Sequence, residues 1–126
     1  MSGVTYDTGA LLAAEANRRD LWALHARAVQ RGVLPTVPVG VLGQAWRGGP
    51  QARLSRLLRG CIVEGLDEEV ARASGRACAR AGTADVVDAS VVVGAIRRRD
   101  LVVTSDPDDL RRIASSIRGR LDVHAI

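Results

Sequence analysis

Val4-Thr5-Tyr6-Asp7-Thr8-Gly9-Ala10-Leu11-Leu12-Ala13-Ala14-Glu15 passes from a short apolar strand into a helix, with one aspartate at the change. β-Favouring residues precede Asp7, and a run of good helix formers follows Gly9. The same switch recurs near the other end of the chain, in Leu101-Val102-Val103-Thr104-Ser105-Asp106-Pro107-Asp108-Asp109-Leu110. There an apolar strand gives way to an aspartate, a proline suited to the first helical position, and two acids in the first turn. Two such strand–acid–helix switches point to an α/β chain with its acids at strand ends.

The patterns between them keep alternating. A strand is expected at residues 4–6 and a helix at 8–15, with Asp7 placed to cap it. Residues 18–31 read as an amphipathic helix with Leu21, Trp22, Leu24, Ala28 and Val29 on its apolar side, stopped by Gly32. A second strand is expected at 34–37, with Pro35 near its start. A third helix is expected from Pro38 to Trp46, broken by Gly48-Gly49-Pro50, and then a basic helix over 51–59. A short strand at 61–64 precedes a helix from Asp67 to about Ala81, whose leading acids suit the helix dipole. Residues 85–98 are valine-rich, yet their length and leading acid favour a helix. A strand at 101–104, a helix at 107–117 and a final strand at 121–125 complete the chain. Strands separated by helices imply parallel pairing through right-handed crossovers. The expected fold is α/β: a three-layer α/β/α sandwich with a four- or five-stranded, mainly parallel sheet, over residues 1–126 as one domain.

Composition narrows the function. The core must be aliphatic, because the chain holds two Trp, one Tyr and no Phe. All 18 basic residues are arginine, so a phosphate-binding loop that needs a lysine is excluded. Receiver domains and haloacid-dehalogenase-like phosphatases also gather aspartates at strand ends, but pair them with a lysine this chain lacks. Ser74, Ser90, Ser115 and Ser116 have no nucleophile-elbow context or evident base, which argues against acyl transfer. Cys61 and Cys78 lack metal-ligand spacing and read as reduced thiols of a cytoplasmic protein. His25 and His124 are isolated and read as surface or partnered side chains. The longest apolar run, 89–96, is too short to span a bilayer, and the N-terminus does not read as a signal peptide. A net charge of +4 favours a polyanionic substrate or an acidic partner.

The acids carry the chemistry. In open α/β sheets, sites form beyond the carboxyl ends of strands, where the strand order reverses. Asp7 and Asp106 each follow a strand, and Asp85 and Asp88 lie at i, i+3 spacing on one helical face. Asp7, Asp85 and Asp106 each also have a purely structural reading, as helix caps. Asp88 does not, because it stands one turn into an apolar segment. Carboxylates that crowd raise one another's pKa, and a divalent cation turns that cost into binding. Hard cations take oxygen ligands, so a hard divalent cation is the expected metal.

These pieces, Tyr6 to Ala13, Asp85-Val86-Val87-Asp88-Ala89 and Leu101 to Leu110, resemble PIN-domain ribonucleases. They are especially similar to the toxin component of bacterial VapBC toxin–antitoxin pairs, over essentially the whole length. The resemblance implies an α/β/α fold and endonucleolytic RNA cleavage that depends on Mg²⁺ or Mn²⁺. It also implies a small cognate antitoxin and a homodimer. By position it implies Asp7, Asp88 and Asp106 as catalytic metal-site carboxylates and Asp85 as a further ligand. Thr8, Thr104 and Ser105 would orient ligands or water. One departure is Gln44, which stands where the family usually carries a Glu. Glu15 is the candidate substitute. A PIN-like scaffold weakened at Gln44, binding RNA or protein without cleaving, is the alternative.

Arg47, Arg53, Arg56 and Arg59 flank the Gly48-Gly49-Pro50 corner. The first three are candidates for a track of RNA-phosphate contacts leading to the pocket. Trp46 reads as core, and Leu21 with Trp22 as a groove for an antitoxin helix.

Overall fold

The computed structural model describes residues 3–126; the N-terminal reading at Met1 and Ser2 lies outside them. Five strands form one sheet: β1 (Val4–Tyr6), β2 (Thr36–Pro38), β3 (Ile62–Glu64), β4 (Leu101–Thr104) and β5 (Asp122–Ala125). Their order is β3-β2-β1-β4-β5, and every pairing is parallel. Seven helices connect them: α1 (Thr8–Glu15), α2 (Arg19–Gln30), α3 (Val39–Ala45), α4 (Ala52–Leu58), α5 (Glu68–Ala81), α6 (Val86–Arg98) and α7 (Pro107–Ser116). The chain steps outward from β1 to β3, returns across the sheet to β4, and steps outward again to β5. Right-handed crossovers therefore place α1–α4 on one face and α5–α7 on the other. Packing agrees: α1 meets α2, α3 and α4, while α5, α6 and α7 meet one another. The expected three-layer α/β/α sandwich is the observed one, with five strands.

Helix α6 shows why a valine-rich stretch stays helical. Every residue from Ala89 to Ala95 is buried, so α6 is covered all round by the sheet and by α5 and α7. Its uniform apolarity reflects burial on all sides rather than a strand period. Asp85 caps it, accepting from the Asp88 N–H at 3.0 Å. Asp67 caps α5 through the Val70 N–H at 2.8 Å, and Gly82 ends that helix at φ 71°.

Several boundaries moved. The second strand starts at Thr36 rather than 34; Leu34 is 58% exposed, and the Pro35 carbonyl accepts from the Ile62 N–H. Pro38 closes β2 instead of beginning α3, where its missing N–H costs little because the ladder ends there. On α2 the buried face is Leu21, Leu24, His25 and Ala28, and Val29 points outward. The Gly48-Gly49-Pro50 corner is stapled by Gln51, whose side chain accepts from the Arg47 N–H and donates to the Ala45 carbonyl.

A polar network beneath the sheet was not anticipated. Arg98 donates to Asp100 at 2.9 Å, to Glu64 at 2.8 Å and to the Thr5 hydroxyl at 3.1 Å. Asp100 is buried and also accepts from the Thr5 hydroxyl and the Gly3 N–H. One arginine thus ties edge strand β3 to the starts of β1 and β4. Its sequence signal was only that Arg98 and Asp100 stand two apart.

Candidate metal centre

Strand order reverses between β1 and β4, which pair in register from Val4↔Leu101 to Tyr6↔Val103. The Asp7 N–H extends this ladder by donating to the Val103 carbonyl at 3.0 Å. Asp7 therefore leaves β1 directly over the crevice at the switch point, and Asp106 follows two residues beyond the end of β4. Gly9 makes the approach possible. A Cβ there would stand 2.8 Å from the Ser105 Cβ and 3.0 Å from its backbone nitrogen. Only glycine lets the first turn of α1 press onto the turn that carries Asp106.

Asp7 is only 4% exposed and makes no capping bond to α1. Its carboxylate instead accepts from the Thr104 hydroxyl at 2.8 Å, and that hydroxyl accepts from the Asp106 N–H at 2.9 Å. Thr104, fully buried, thus holds Asp7 with one bond and the Asp106 turn with another. Burial pushes the Asp7 carboxyl above the usual carboxylate range. The Thr104 hydrogen bond and the adjacent Thr8 backbone N–H oppose this, and the charges of Asp106 and Asp85 add to it. Asp88, half-buried, is pushed up to about 7, first by desolvation and then by Asp85, Asp7 and Asp109. A contact between its carboxyl and that of Asp85 acts in the same direction.

Asp85 and Asp106 are therefore close enough to raise Asp7, and Asp7, Asp85 and Asp109 close enough to raise Asp88. They do not close on one point: among the described residues, no three His, Cys, Asp or Glu side chains form a group able to hold an ion. Asp85 spends one carboxylate oxygen on its cap of α6. Asp109 joins the field and was read from sequence only as a helix-start acid; its i+3 spacing from Asp106 was the available signal. Burial, Asp85 and Asp88 push the Cys78 thiol up. The donors that remain are carboxylate and hydroxyl oxygens, which suit a hard cation. Mg²⁺ takes only one or two direct carboxylates and keeps its other waters, so an open set of acids fits it.

Gln44 reaches the rim of this crevice. Its side-chain oxygen accepts from the Thr8 hydroxyl, next to Asp7, while Val41 and Ala45 turn into the core. Glu15 does not reach. Its carboxylate caps α4, accepting from the Leu54 N–H at 2.7 Å. Ser105 is exposed and packs toward Gly9.

The expected arginine track is divided. Arg53 donates to the Glu15 carbonyl, and Arg56 lies 4.3 Å over the Trp22 ring, whose Nε1–H donates to the Ala14 carbonyl. Both therefore sit at the C-terminal end of α1, about 12 Å of helix away from Asp7. That end carries the carbonyls and negative dipole that attract cations. Arg47 stays nearer Gln44, donating to the Gly43 and Trp46 carbonyls. Leu21 is fully buried and cannot line a groove, while Trp46, expected in the core, is 42% exposed. His25 is partnered, sharing a 2.8 Å hydrogen bond with the Tyr6 hydroxyl.

No family model and no curated protein match the chain. Solved structures do. One is a chain of VapBC2 from Rickettsia felis, crystallised bound to a DNA fragment from its promoter. It superposes with a TM-score of 0.72 at 13% identity, covering 98% of both chains. Another is a chain of DNA-bound VapBC from Salmonella typhimurium, with a TM-score of 0.70 at 17% identity, covering 99% of this chain and 98% of that one. The fold is the PIN-like fold of those VapBC chains. At these identities the likeness fixes the architecture, while the chemistry rests on the side chains around Asp7.

Proposed function

We propose that the chain is a divalent-metal-dependent endoribonuclease of the VapC toxin type. The observation that carries this reading is Asp7. A nearly buried carboxylate at the switch point of a parallel sheet is held by Thr104 rather than spent on a cap, and faces further aspartates. A purely structural protein gains nothing from that crowding, which destabilises the metal-free fold.

Asp7, Asp88 and Asp106 would hold Mg²⁺ or Mn²⁺, directly or through waters, with Asp85 and Asp109 adding charge. When bound, the ion would polarise the scissile phosphate and lower the pKa of a bound water. The chain's own residues set the stage for this. Thr104 fixes the direction of the Asp7 carboxylate and the path of the Asp106 turn. Thr8 and Gln44, hydrogen-bonded beside Asp7, would line the approach, and Arg47, bonded to the Gly43 and Trp46 carbonyls, would turn to meet an RNA phosphate.

VapBC neighbours support an antitoxin as partner, and the proposal sets the pair in the cytoplasm. Exposed Val39 and Trp46, with Leu42 and Leu58, line an apolar hollow of about 400 Å³ close to Gln44. Such a surface suits coverage by an antitoxin or by a second copy in a homodimer. Among the described residues no helix is long and apolar enough to cross a membrane.

A second reading rests on Gln44. Where the resemblance implies a Glu, this crevice has a neutral side chain whose oxygen already accepts from Thr8. On that reading the scaffold binds RNA or protein without cutting. Incubating RNA with the protein in Mn²⁺ or in EDTA separates the two: metal-dependent cleavage supports the nuclease, and RNA binding without cleavage supports the module.

A further inference from the structure

We infer that the outer surface of the α5–α7 layer docks an acidic, amphipathic segment of a partner protein. A groove of about 260 Å³ runs between α5, α6 and the end of α7. Its floor is aliphatic, built on Ala77, Val93, Ile96 and Ile117. Its rim is cationic: Arg76 and Arg80 on α5, Arg97 on α6.

The two α5 arginines stand at i, i+4, so their guanidiniums project along one edge. Neither has an ion pair among the described residues. Arg97 has only an exposed, 3.5 Å contact with Glu69. None of the crevice acids lines this groove, so the inference is independent of the metal reading.

Charge complementarity calls for an anionic occupant, and the floor decides its class. Single-stranded nucleic acid is held by phosphate contacts combined with bases stacked on aromatic rings. No aromatic side chain lines the groove. An aliphatic floor beneath a cationic rim instead matches a helix that turns aliphatic side chains inward and carboxylates outward. Arginine also keeps its charge and forks onto carboxylates in a partly desolvated setting.

Fluorescence anisotropy tests this with three labelled probes on the full chain. They are a short amphipathic Leu/Glu peptide, the same peptide with Lys for Glu, and single-stranded polyuridine. The Leu/Glu peptide should bind and the Leu/Lys peptide should not. The double variant Arg76→Glu/Arg80→Glu changes exposed side chains only, and circular dichroism checks its fold. Reversing two exposed charges should weaken the Leu/Glu peptide about tenfold. Ile117→Ser should weaken it through the floor. Equal binding of both peptides, no loss in the double variant, or an effect confined to polyuridine would overturn the inference.

Discussion

Removing one charge from the crevice should stabilise the metal-free protein, and the gain should depend on pH. In the fold Asp88 is raised from 3.8 to about 7 by desolvation and by neighbouring aspartates. The folded state therefore keeps its proton where the unfolded chain has lost it. Between about pH 4 and pH 7 the folded state binds more protons, so stability falls as pH rises through that window. A shift of about three units corresponds to about 4 kcal/mol. Asp88 is half-exposed, and solvent screening reduces this to about 1–2 kcal/mol. Asp88→Asn removes the ionisation and keeps the shape, and the bond from its own N–H to Asp85 is untouched. In EDTA at pH 8 the variant should be about 1–2 kcal/mol more stable, a rise of about 3–10 °C in midpoint for a chain of this size. Near pH 4, where wild-type Asp88 is protonated in the fold, most of the gain should vanish. Urea denaturation at both pH values measures it. A variant less stable at pH 8, or a gain equal at both pH values, would refute the electrostatic account and give Asp88 a structural partner.

Other residues test other parts of the crevice. Thr104→Val leaves a buried Asp7 carboxylate and the Asp106 N–H without their shared hydroxyl; it should cost about 1–3 kcal/mol in urea melts and sharply reduce cleavage at unchanged circular dichroism. Gly9→Ala drives a methyl group into Ser105 and should cost about 1–3 kcal/mol, so an unchanged melting midpoint would mean that the turn yields freely. Gln44→Glu adds charge beside Thr8 and should tighten Mn²⁺ binding in calorimetry while slightly lowering metal-free stability; equal affinities would leave Gln44 on the rim without a part in the site.

What the sequence disclosed and what it hid follow from the range of the interactions. The strand-to-helix switches at Asp7 and Asp106 are local, and both elements formed as read. The helical reading of α6 held because length and a leading acid outweighed its valines, and burial on every side explains those valines. The caps divided: Asp85 and Asp67 cap their helices through side-chain bonds, while Asp7, buried beside Thr104, and Asp106, exposed at the start of α7, do not. Long-range pairings stayed hidden. Glu15 finds the N-terminus of α4, and Arg53 and Arg56 find the far end of α1 and Trp22, so neither set serves the crevice. Nothing in the local pattern reports that Arg98 reaches beneath the sheet to Glu64. Trp46 and Leu21 exchanged roles for a related reason. Amphipathic periodicity says which residues share a helix face, but the packing of neighbouring elements decides which face is covered.

Metal-dependent RNA cleavage by the Asp7 crevice is the claim on which the rest depends. A time course of RNA cleavage in Mn²⁺, in EDTA, and with Asp7→Asn in Mn²⁺ tests it most directly. Asn keeps the size of Asp7 and can still accept from Thr104, so the variant should fold normally and lose the charge a cation requires. The account predicts cleavage by the wild type in Mn²⁺ alone, and none in EDTA or by the folded variant. Cleavage that persists in EDTA, or that a folded Asp7→Asn protein performs at the wild-type rate, would contradict it.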